Sequence, residues 1–223
     1  MKQFIKRIKT FWVSDVSFLT LLGMLVFTVF VLPVLIDRES GSILFLNLML
    51  ILLFFVGIFS SYEKSFLILS VTLLALHIGL RLIRFSHGPY QFYLAERVVA
   101  VLNLMVFIVI NFRLLFRDSL VNFHRVIGAI NVYLSLALLG AFSFEIINII
   151  TGTSVGGNIT LTGTDEDFGQ YIYFSLSSIS TLGMGDIHPV NTSAKMLSVF
   201  LSTIGVLYPA VVIAKLVTAV DKH

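Results

Sequence analysis

The sequence contains no cysteine, only four prolines and few charged residues. Without cysteine the chain forms neither disulfides nor thiolate metal sites. The scarcity of proline, with no low-complexity tract, argues against a long disordered region. Charged residues make up 12% of the chain, whereas a soluble domain carries roughly 25%. Since 57% of the residues are hydrophobic, this shortage of charge predicts a membrane protein with several spans.

Motifs of enzymes and of nucleic-acid-binding proteins are also missing. The chain has no His-Glu-x-x-His, no phosphate-binding loop and no Gly-x-Ser-x-Gly. Its net charge of +3 is too small to indicate a nucleic-acid partner. We therefore expect no enzymatic activity, no cofactor and no nucleic-acid partner.

Six apolar stretches are long enough, or nearly so, to cross a membrane as helices. A helix needs about 20 apolar residues for roughly 30 Å of hydrocarbon. The stretches are about Ser17–Ile36, Ser42–Phe59, Phe66–Ile83, Val98–Phe112, Val126–Ile150 and Met196–Ala214. The predicted fold is an all-α membrane protein with six transmembrane helices.

The placement of lysine and arginine predicts the orientation of these helices. With the amino terminus in the cytoplasm, ten basic residues lie inside and five outside. This bias favours a multi-pass protein of the plasma or cell inner membrane with both termini in the cytoplasm. Arg81, Arg84 and Arg97 run against the bias, because they cluster around the connection between the third and fourth helices.

The longest connection, about Thr151 to Lys195, separates helices five and six. It contains an acidic group, Asp165–Asp167, and then an apolar segment, Phe168–Ile179. As a helix this segment spans about 18 Å, which is too short to cross the membrane. We therefore predict a re-entrant helix that enters from the outer side. The acids either concentrate cations at a mouth or form a solvated helix start.

Directly after the predicted re-entrant helix comes the segment Thr181-Leu182-Gly183-Met184-Gly185-Asp186. Glycines at alternate positions suit an extended loop with positive φ at Gly183 and Gly185. The carbonyl groups of residues 181–184 can then face one axis, and stacked rings of such oxygens replace the hydration shell of a monovalent cation. The Thr181 hydroxyl adds an inner ring, and the apolar side chain of Met184 is expected to point back into the protein.

This Thr-x-Gly-x-Gly-Asp string resembles the selectivity filter of the potassium channel family, whose usual form is Thr-Val-Gly-Tyr-Gly-Asp. The resemblance extends from about Val126 to Val220, and the four earlier helices resemble voltage-gated-type members only by number and placement. It implies a homotetramer in the lipid bilayer that conducts K⁺ passively. It divides the chain into a sensor-like domain, residues 1–118, and a pore domain, residues 119–223. The filter would comprise Thr181, Leu182, Gly183, Met184 and Gly185, with K⁺ coordinated at the first four.

The resemblance also implies residues that support the filter. The aromatic positions of the family's pore helix fall on Tyr173 and Phe174, while Ser180 and Asp186 flank the filter. Glu145 matches a carboxylate that ties helix five to the start of helix six. Alternatively, the Glu145 side chain extends to the outer surface.

Met184 stands where the family has a tyrosine, and it lacks the phenolic hydrogen bond that braces the filter. Potassium selectivity rests on the backbone, so the resemblance still implies a potassium channel. Two alternatives stay open. One is a channel that does not select between K⁺ and Na⁺, and the other is a non-conducting sensor or scaffold with a degenerate pore.

The last helix carries two residues that weaken a helix, Gly205 and Pro209. They predict either a gating hinge or a static kink with close packing at the glycine. Apolar residues beyond the bend would then form a dewetting constriction at the inner mouth. These residues are Val212, Ile213 and Leu216.

A strong response to voltage is not expected. A voltage sensor needs several arginines at three-residue spacing along the fourth helix, and Val98–Phe112 contains no basic residue. Arg97, Arg113 and Arg117 lie at its ends, where extension of the side chain to the interface would explain them. His77, in the third helix, is expected to be a satisfied interhelical residue.

Overall fold

The computed structural model describes residues 16–38, 42–59, 64–87, 92–116 and 123–220. In these ranges the chain forms long helices and a small antiparallel sheet, with a short 3₁₀ turn at Asp165–Asp167. The elements are α1 (Val16–Val26, Phe27–Val31 and Leu32–Arg38), α2 (Ser42–Phe59), α3 (Lys64–His87), α4 (Tyr93–Phe116), α5 (Phe123–Thr151), β1 (Val155–Gly157), α6 (Phe168–Ile179), β2 (Ile187–Pro189) and α7 (Thr192–Val220). The predicted domain boundary at residues 118 and 119 lies outside the described residues.

Five described helices are long and apolar enough to cross a membrane: α1, α3, α4, α5 and α7. The apolar part of α2, Phe45–Gly57, is shorter than the other five. Several spans are thus supported, while the sixth stays a prediction. The predicted fourth helix was too short, because α4 begins at Tyr93 rather than at Val98. Glu96 and Arg97, near the start of α4, have buried partners on other helices. The helix therefore begins before these charged residues instead of after them.

α1 contains a π-helical segment, Phe27–Val31, which ends two residues before Pro33. Pro33 has no N–H to donate to the carbonyl four residues earlier, and its ring crowds that turn. The Leu32 N–H instead donates to the Phe27 carbonyl, five residues back. The wider turn relieves the crowding and lets the helix continue through the proline.

α5 is the central helix of the fold, because α1, α4, α6 and α7 all pack against it. Gly140 allows both neighbouring helices to approach α5 closely: a Cβ there would lie 2.3 Å from the Ser175 Oγ atom of α6 and 2.7 Å from a Leu201 methyl group of α7. The Ser175 hydroxyl donates to the Ala137 carbonyl of α5 over 2.6 Å. The short helix α6 is therefore held between the two long helices that precede and follow it.

The two-stranded sheet joins the chain before α6 to the chain after it. β1 and β2 are antiparallel, with Gly156 opposite His188 in the register. The Val190 N–H extends the pairing by donating to the Ser154 carbonyl over 2.9 Å. This closure fixes where the loop after α6 returns to α7.

Candidate pore site

The loop that follows α6 continues the hydrogen bonding of the helix. The Thr181 N–H donates to the Ser178 carbonyl over 3.1 Å, and the Leu182 N–H donates to the Ser177 carbonyl over 3.0 Å. The carbonyl end of a helix carries a partial negative charge. The loop therefore begins at a place where a cation is electrostatically favoured.

The backbone of this loop enters the left-handed region at alternate residues. Its φ angles are +55° at Gly183 and +83° at Gly185, so the predicted positive φ at both glycines is confirmed. Thr181, with φ of +58°, is left-handed as well, which was not predicted. For a non-glycine residue this conformation is less favourable by about 1–2 kcal/mol of free energy. The segment is thus held in an unusual shape by its surroundings.

Hydroxyl groups from both neighbouring helices hold the last turn of α6. From α7, the Ser202 hydroxyl donates to the Ser178 carbonyl over 2.8 Å, and the Ser198 and Ser178 hydroxyls lie 3.0 Å apart. From α5, the Tyr133 hydroxyl donates to the Ile179 carbonyl over 3.3 Å. The start of the loop is therefore positioned by both helices.

The loop itself, residues 180–186, is exposed on the single chain. Leu182 is 64% exposed and Met184 is 66% exposed. The single chain therefore does not bury Met184, and its expected orientation into the assembled protein stays a prediction. Among the described residues, no neighbouring side chain buries the methionine.

The two predicted aromatic supports contact different partners. The Tyr173 hydroxyl donates to the Asp186 Oδ2 atom over 2.7 Å, and the ring centroids of Phe174 and Phe144 are 4.7 Å apart. Asp186 also accepts the Ile187 N–H over 2.9 Å. The hydrogen bond from Tyr173 lowers the pKa of the exposed Asp186 carboxyl below its usual value. An aromatic side chain thus contacts the carboxyl-terminal end of the loop through Asp186.

Replacing Tyr173 with phenylalanine is expected to make ion flux more sensitive to acid. Asp186 loses the bond that lowers its pKa, so it takes up a proton at a higher pH as the solution is acidified. The acid limb of the flux–pH curve should therefore move to higher pH. The measurement is flux from proteoliposomes as the outer pH is lowered. Tyr171→Phe, which removes a hydroxyl from the same helix, is the control, and an equal shift in both variants would exclude the Tyr173–Asp186 bond as the cause.

Gly205 and Pro209 lie one helical turn apart in α7 and affect the same backbone segment. A Cβ on Gly205 would lie 1.7 Å from the Ile179 carbonyl oxygen, so α7 touches the end of α6 backbone to backbone. Pro209 lies inside α7, and its missing N–H is the one that would bond to the Gly205 carbonyl. The structure favours the close-packing interpretation of Gly205, which the sequence had left open beside the hinge.

The three residues predicted to form an inner constriction differ in their surroundings. Val212 is buried against Ala129 of α5, where the nearby Tyr208 hydroxyl also donates to the Ala129 carbonyl over 2.9 Å. Its assignment to a pore-lining gate is therefore wrong, because this face of α7 packs on α5 of the same chain. Ile213 is 60% exposed. The side chain of Leu216 lies outside the described residues.

Sequence reasoning missed a buried ionic cluster between α3, α4, α5 and the start of α6. It contains three guanidinium groups and three carboxylates, and each of these side chains is at most 9% exposed. We define the ionic cluster as Arg81, Arg84, Glu96, Arg97, Glu145 and Asp165. Guanidinium groups and carboxylates are equal in number, so each buried charge can have an opposite partner, as buried charges in membrane proteins usually do.

Within the ionic cluster, Asp165 and Glu96 connect the arginines. Asp165 contacts Arg84 and Arg97 directly, and an Arg81 nitrogen lies 3.8 Å from its Oδ1 atom. Glu96 lies 2.5 Å from Arg81 and 3.4 Å from Arg84. Burial alone would raise the pKa of the Asp165 carboxyl, but the guanidinium groups, Arg97 above all, hold it below its usual value. Asp165 is therefore charged at neutral pH.

Glu145 and Arg97 are placed differently from their predicted positions. The Glu145 Oε2 atom lies 2.9 Å from the Arg97 Nε atom, and the Tyr93 hydroxyl donates to Glu145. These partners belong to α4, whereas the predicted brace pointed to the start of the last helix. Arg97 is 0% exposed, so its predicted extension to the interface is wrong. Its partners on α5 and beside α6 satisfy the charge inside the protein.

The remaining sequence predictions concern the acidic group and two other basic side chains. Asp165 and Asp167 are buried, so only Glu166 fits a solvated helix start. Asp167 accepts the N–H groups of Thr162 and Gly163 over 2.8 and 2.7 Å. Arg113 is exposed and lies over the Phe66 ring at 5.0 Å, whereas Arg117 lies outside the described residues.

His77 is fully buried between helices, as predicted. Its ring lies edge-on to Phe54, with centroids 5.4 Å apart, and its Nε2 atom is 3.9 Å from Glu96. Neither ring nitrogen has a hydrogen-bond partner among the described residues. The expected satisfaction of its polar atoms is therefore not found.

A sequence signal for the ionic cluster was present in α3. His77, Arg81 and Arg84 are spaced by four and three residues, which places them on one face of a helix. A polar stripe of this kind in an otherwise apolar helix indicates buried partners. The sequence did not identify those partners, because one of them, Asp165, lies 81 residues after Arg84 and is brought close only by the tertiary fold.

The comparison with known families concerns the region around this loop. Residues 132–222 match a family model described as ion channel. The match starts within α5 and includes α6, the loop and α7, so it supports an ion channel family and ion transport as the function. It points to a channel rather than an enzyme, and with the apolar helices it supports an integral membrane protein. No curated protein and no solved structure matches the chain.

Proposed function

We propose that the chain is one subunit of a homotetrameric, potassium-selective channel. The observation that carries the proposal is the loop after α6. It combines the Thr-x-Gly-x-Gly-Asp string with left-handed backbone at Gly183 and Gly185, and it follows a twelve-residue helix lying between two membrane-length helices. Carbonyl groups of residues 181–184 would coordinate dehydrated K⁺.

The proposed fourfold assembly rests on the fact that a single chain cannot form a complete ring of carbonyl groups. One loop supplies a quarter of a ring of carbonyl groups, and closed rotational symmetry completes the ring. Two exposed surfaces of the single chain support this assembly. One is the loop, residues 180–186, and the other is a series of apolar side chains along α7. The exposed series includes Met196, Val199, Phe200, Val206, Leu207 and Ile213. Contiguous apolar surface of this kind is covered by lipid or by another chain.

Flux from proteoliposomes with K⁺ or Na⁺ as the permeant ion tests the proposal. We expect K⁺ flux to exceed Na⁺ flux by at least about tenfold. Equal fluxes would favour the non-selective channel, for which the absence of the bracing tyrosine at position 184 is the specific argument. No flux of either ion from correctly assembled protein would favour the non-conducting scaffold.

A steep dependence of current on voltage is not expected. Arg97 is paired with Glu145 and Asp165 in a fully buried position, and moving it across the field would leave buried carboxylates unpaired. Each elementary charge crossing the field contributes about 2.3 kcal/mol per 100 mV, so steep opening needs several mobile charges. Currents recorded in planar bilayers over a voltage series provide the test. An e-fold change in open probability within a few millivolts would contradict the static assignment of Arg97.

A further inference from the structure

The ionic cluster connects the peripheral helices to the start of α6. We infer that it acts as a positioning clamp, which holds the amino-terminal end of α6 against α3 and α4 and thereby sets the geometry of the loop at the other end of that helix. The inference rests on the proposed channel function and assigns a part in it to helices outside the pore module.

The mechanical connection between Asp165 and the loop is short and stiff. Asp165 opens the 3₁₀ turn that leads into α6, and its carbonyl accepts the Phe168 N–H. α6 then runs for twelve residues to Ile179, as a rod of about 18 Å. A tilt at the start of such a rod displaces its far end, where Thr181 begins the loop.

Three arginines from two helices converge on the Asp165 carboxylate. Arg84 of α3 and Arg97 of α4 contact it directly, and Arg81 of α3 approaches to 3.8 Å. Arg97 also pairs with Glu145 of α5. The carboxylate is thereby held from several directions, which fixes a position as well as a charge.

The burial of Asp165 distinguishes a positioning role from attraction of cations to the mouth of the proposed pore. Replacing a buried ion cluster by apolar residues is often neutral or stabilising, so its presence calls for a role beyond stability. Asp165 is 3% exposed, whereas its neighbour Glu166 is exposed. A carboxylate that attracts cations from solution would act better from position 166. The adjacent pair therefore provides a matched comparison.

The experiment compares Asp165→Asn with Glu166→Gln in the full-length chain, reconstituted in lipid. Hydrogen exchange of the α6 amides reports the anchorage of the helix whether or not the protein conducts. The ratio of K⁺ to Na⁺ flux reports the loop. In Asp165→Asn we expect exchange in the first two turns of α6 to rise at least about tenfold, and the flux ratio to fall severalfold. Glu166→Gln should resemble the wild type in both measurements.

A second variant separates positioning from stability. Asp165→Asn leaves one buried guanidinium uncompensated, and this variant can fail to assemble for that reason alone. In Asp165→Asn/Arg84→Gln the charges balance again, and the pairs Arg81–Glu96 and Arg97–Glu145 remain possible. We expect its thermal unfolding temperature to return toward the wild-type value, while α6 exchange and the flux ratio stay altered.

Two results would overturn the clamp. One is a double variant with wild-type exchange and wild-type flux ratio, which would reduce the ionic cluster to a contribution to stability. The other is an equal effect of Asp165→Asn and Glu166→Gln, which would make charge at the mouth the cause. A wild-type protein that passes K⁺ and Na⁺ equally would refute the proposed selectivity, and the exchange comparison would still decide the clamp.

Discussion

The Gly205→Ala variant is expected to lose most of its ion flux and to unfold at a lower temperature than the wild type. The added Cβ would lie 1.7 Å from the Ile179 carbonyl oxygen and 2.7 Å from the carbonyl carbon. Both are backbone atoms, so no side-chain rotation relieves the contact. To restore ordinary van der Waals distances, α7 must retreat from α6 by roughly 1.5–2 Å. Overpacking of this kind costs about 1–3 kcal/mol.

The loss of flux follows from the position of Ile179. It is the last residue of α6, and its carbonyl accepts the Tyr133 hydroxyl. The loop starts directly after it. A shift at this point therefore moves the first residues of the predicted filter, because the serine hydroxyls of α7 hold Ser178 in the last turn of α6.

Thermal unfolding and proteoliposome flux measure the effect together, and they separate packing from a hinge. A hinge at Gly205 predicts that alanine stiffens α7 and alters channel opening without lowering the unfolding temperature. Close packing predicts that both quantities fall. Gly23→Ala is the matched control, because a Cβ added at this helical glycine would have no heavy atom within 4 Å. Unchanged flux and stability in Gly205→Ala would contradict the packing assignment.

Length and local chemistry were sufficient to predict much of the fold. The short helix was predicted with the bounds observed, Phe168–Ile179, because an apolar segment preceded by acids and followed by glycines is a local signal. The start of α4 was not predicted. In the sequence, Glu96 and Arg97 mark the boundary of the apolar run that begins at Val98. Only their partners on α3 and beside α6 explain why they are buried within the helix.

The loop was the part of the candidate site that a local pattern could predict, whereas contacts between helices were not accessible. Apolar residues occur all around α7, so its sequence does not show which of them face α5. Val212 was assigned to the pore axis for this reason, and in the structure it packs on Ala129. The partners of Glu145 were missed because they lie on α4, far from it in the chain.

Replacing Gly183 with alanine is expected to reduce K⁺ flux at least about a hundredfold. Gly183 has φ of +55°, and a Cβ there would meet no heavy atom of the same chain within 4 Å. The expected effect is therefore backbone strain, of about 1–2 kcal/mol for each chain. In the proposed ring of four chains the strain would sum to roughly 4–8 kcal/mol, which approaches the stability of a whole domain. The loop should relax to a negative φ, and its carbonyl groups would no longer form regular rings.

Gly152→Ala is the matched control for this strain. Gly152 has φ of +79° and likewise has open space where a Cβ would be added, but it lies directly after α5 and is not part of the loop, residues 180–186. The two substitutions therefore impose a similar local cost at different places. Flux of K⁺ and thermal unfolding, measured for both variants, show whether the strain reduces flux only when it lies within the predicted filter. If Gly152→Ala lost as much flux as Gly183→Ala, general destabilisation would account for both. If Gly183→Ala conducted normally, the left-handed backbone at this position would not be required for conduction.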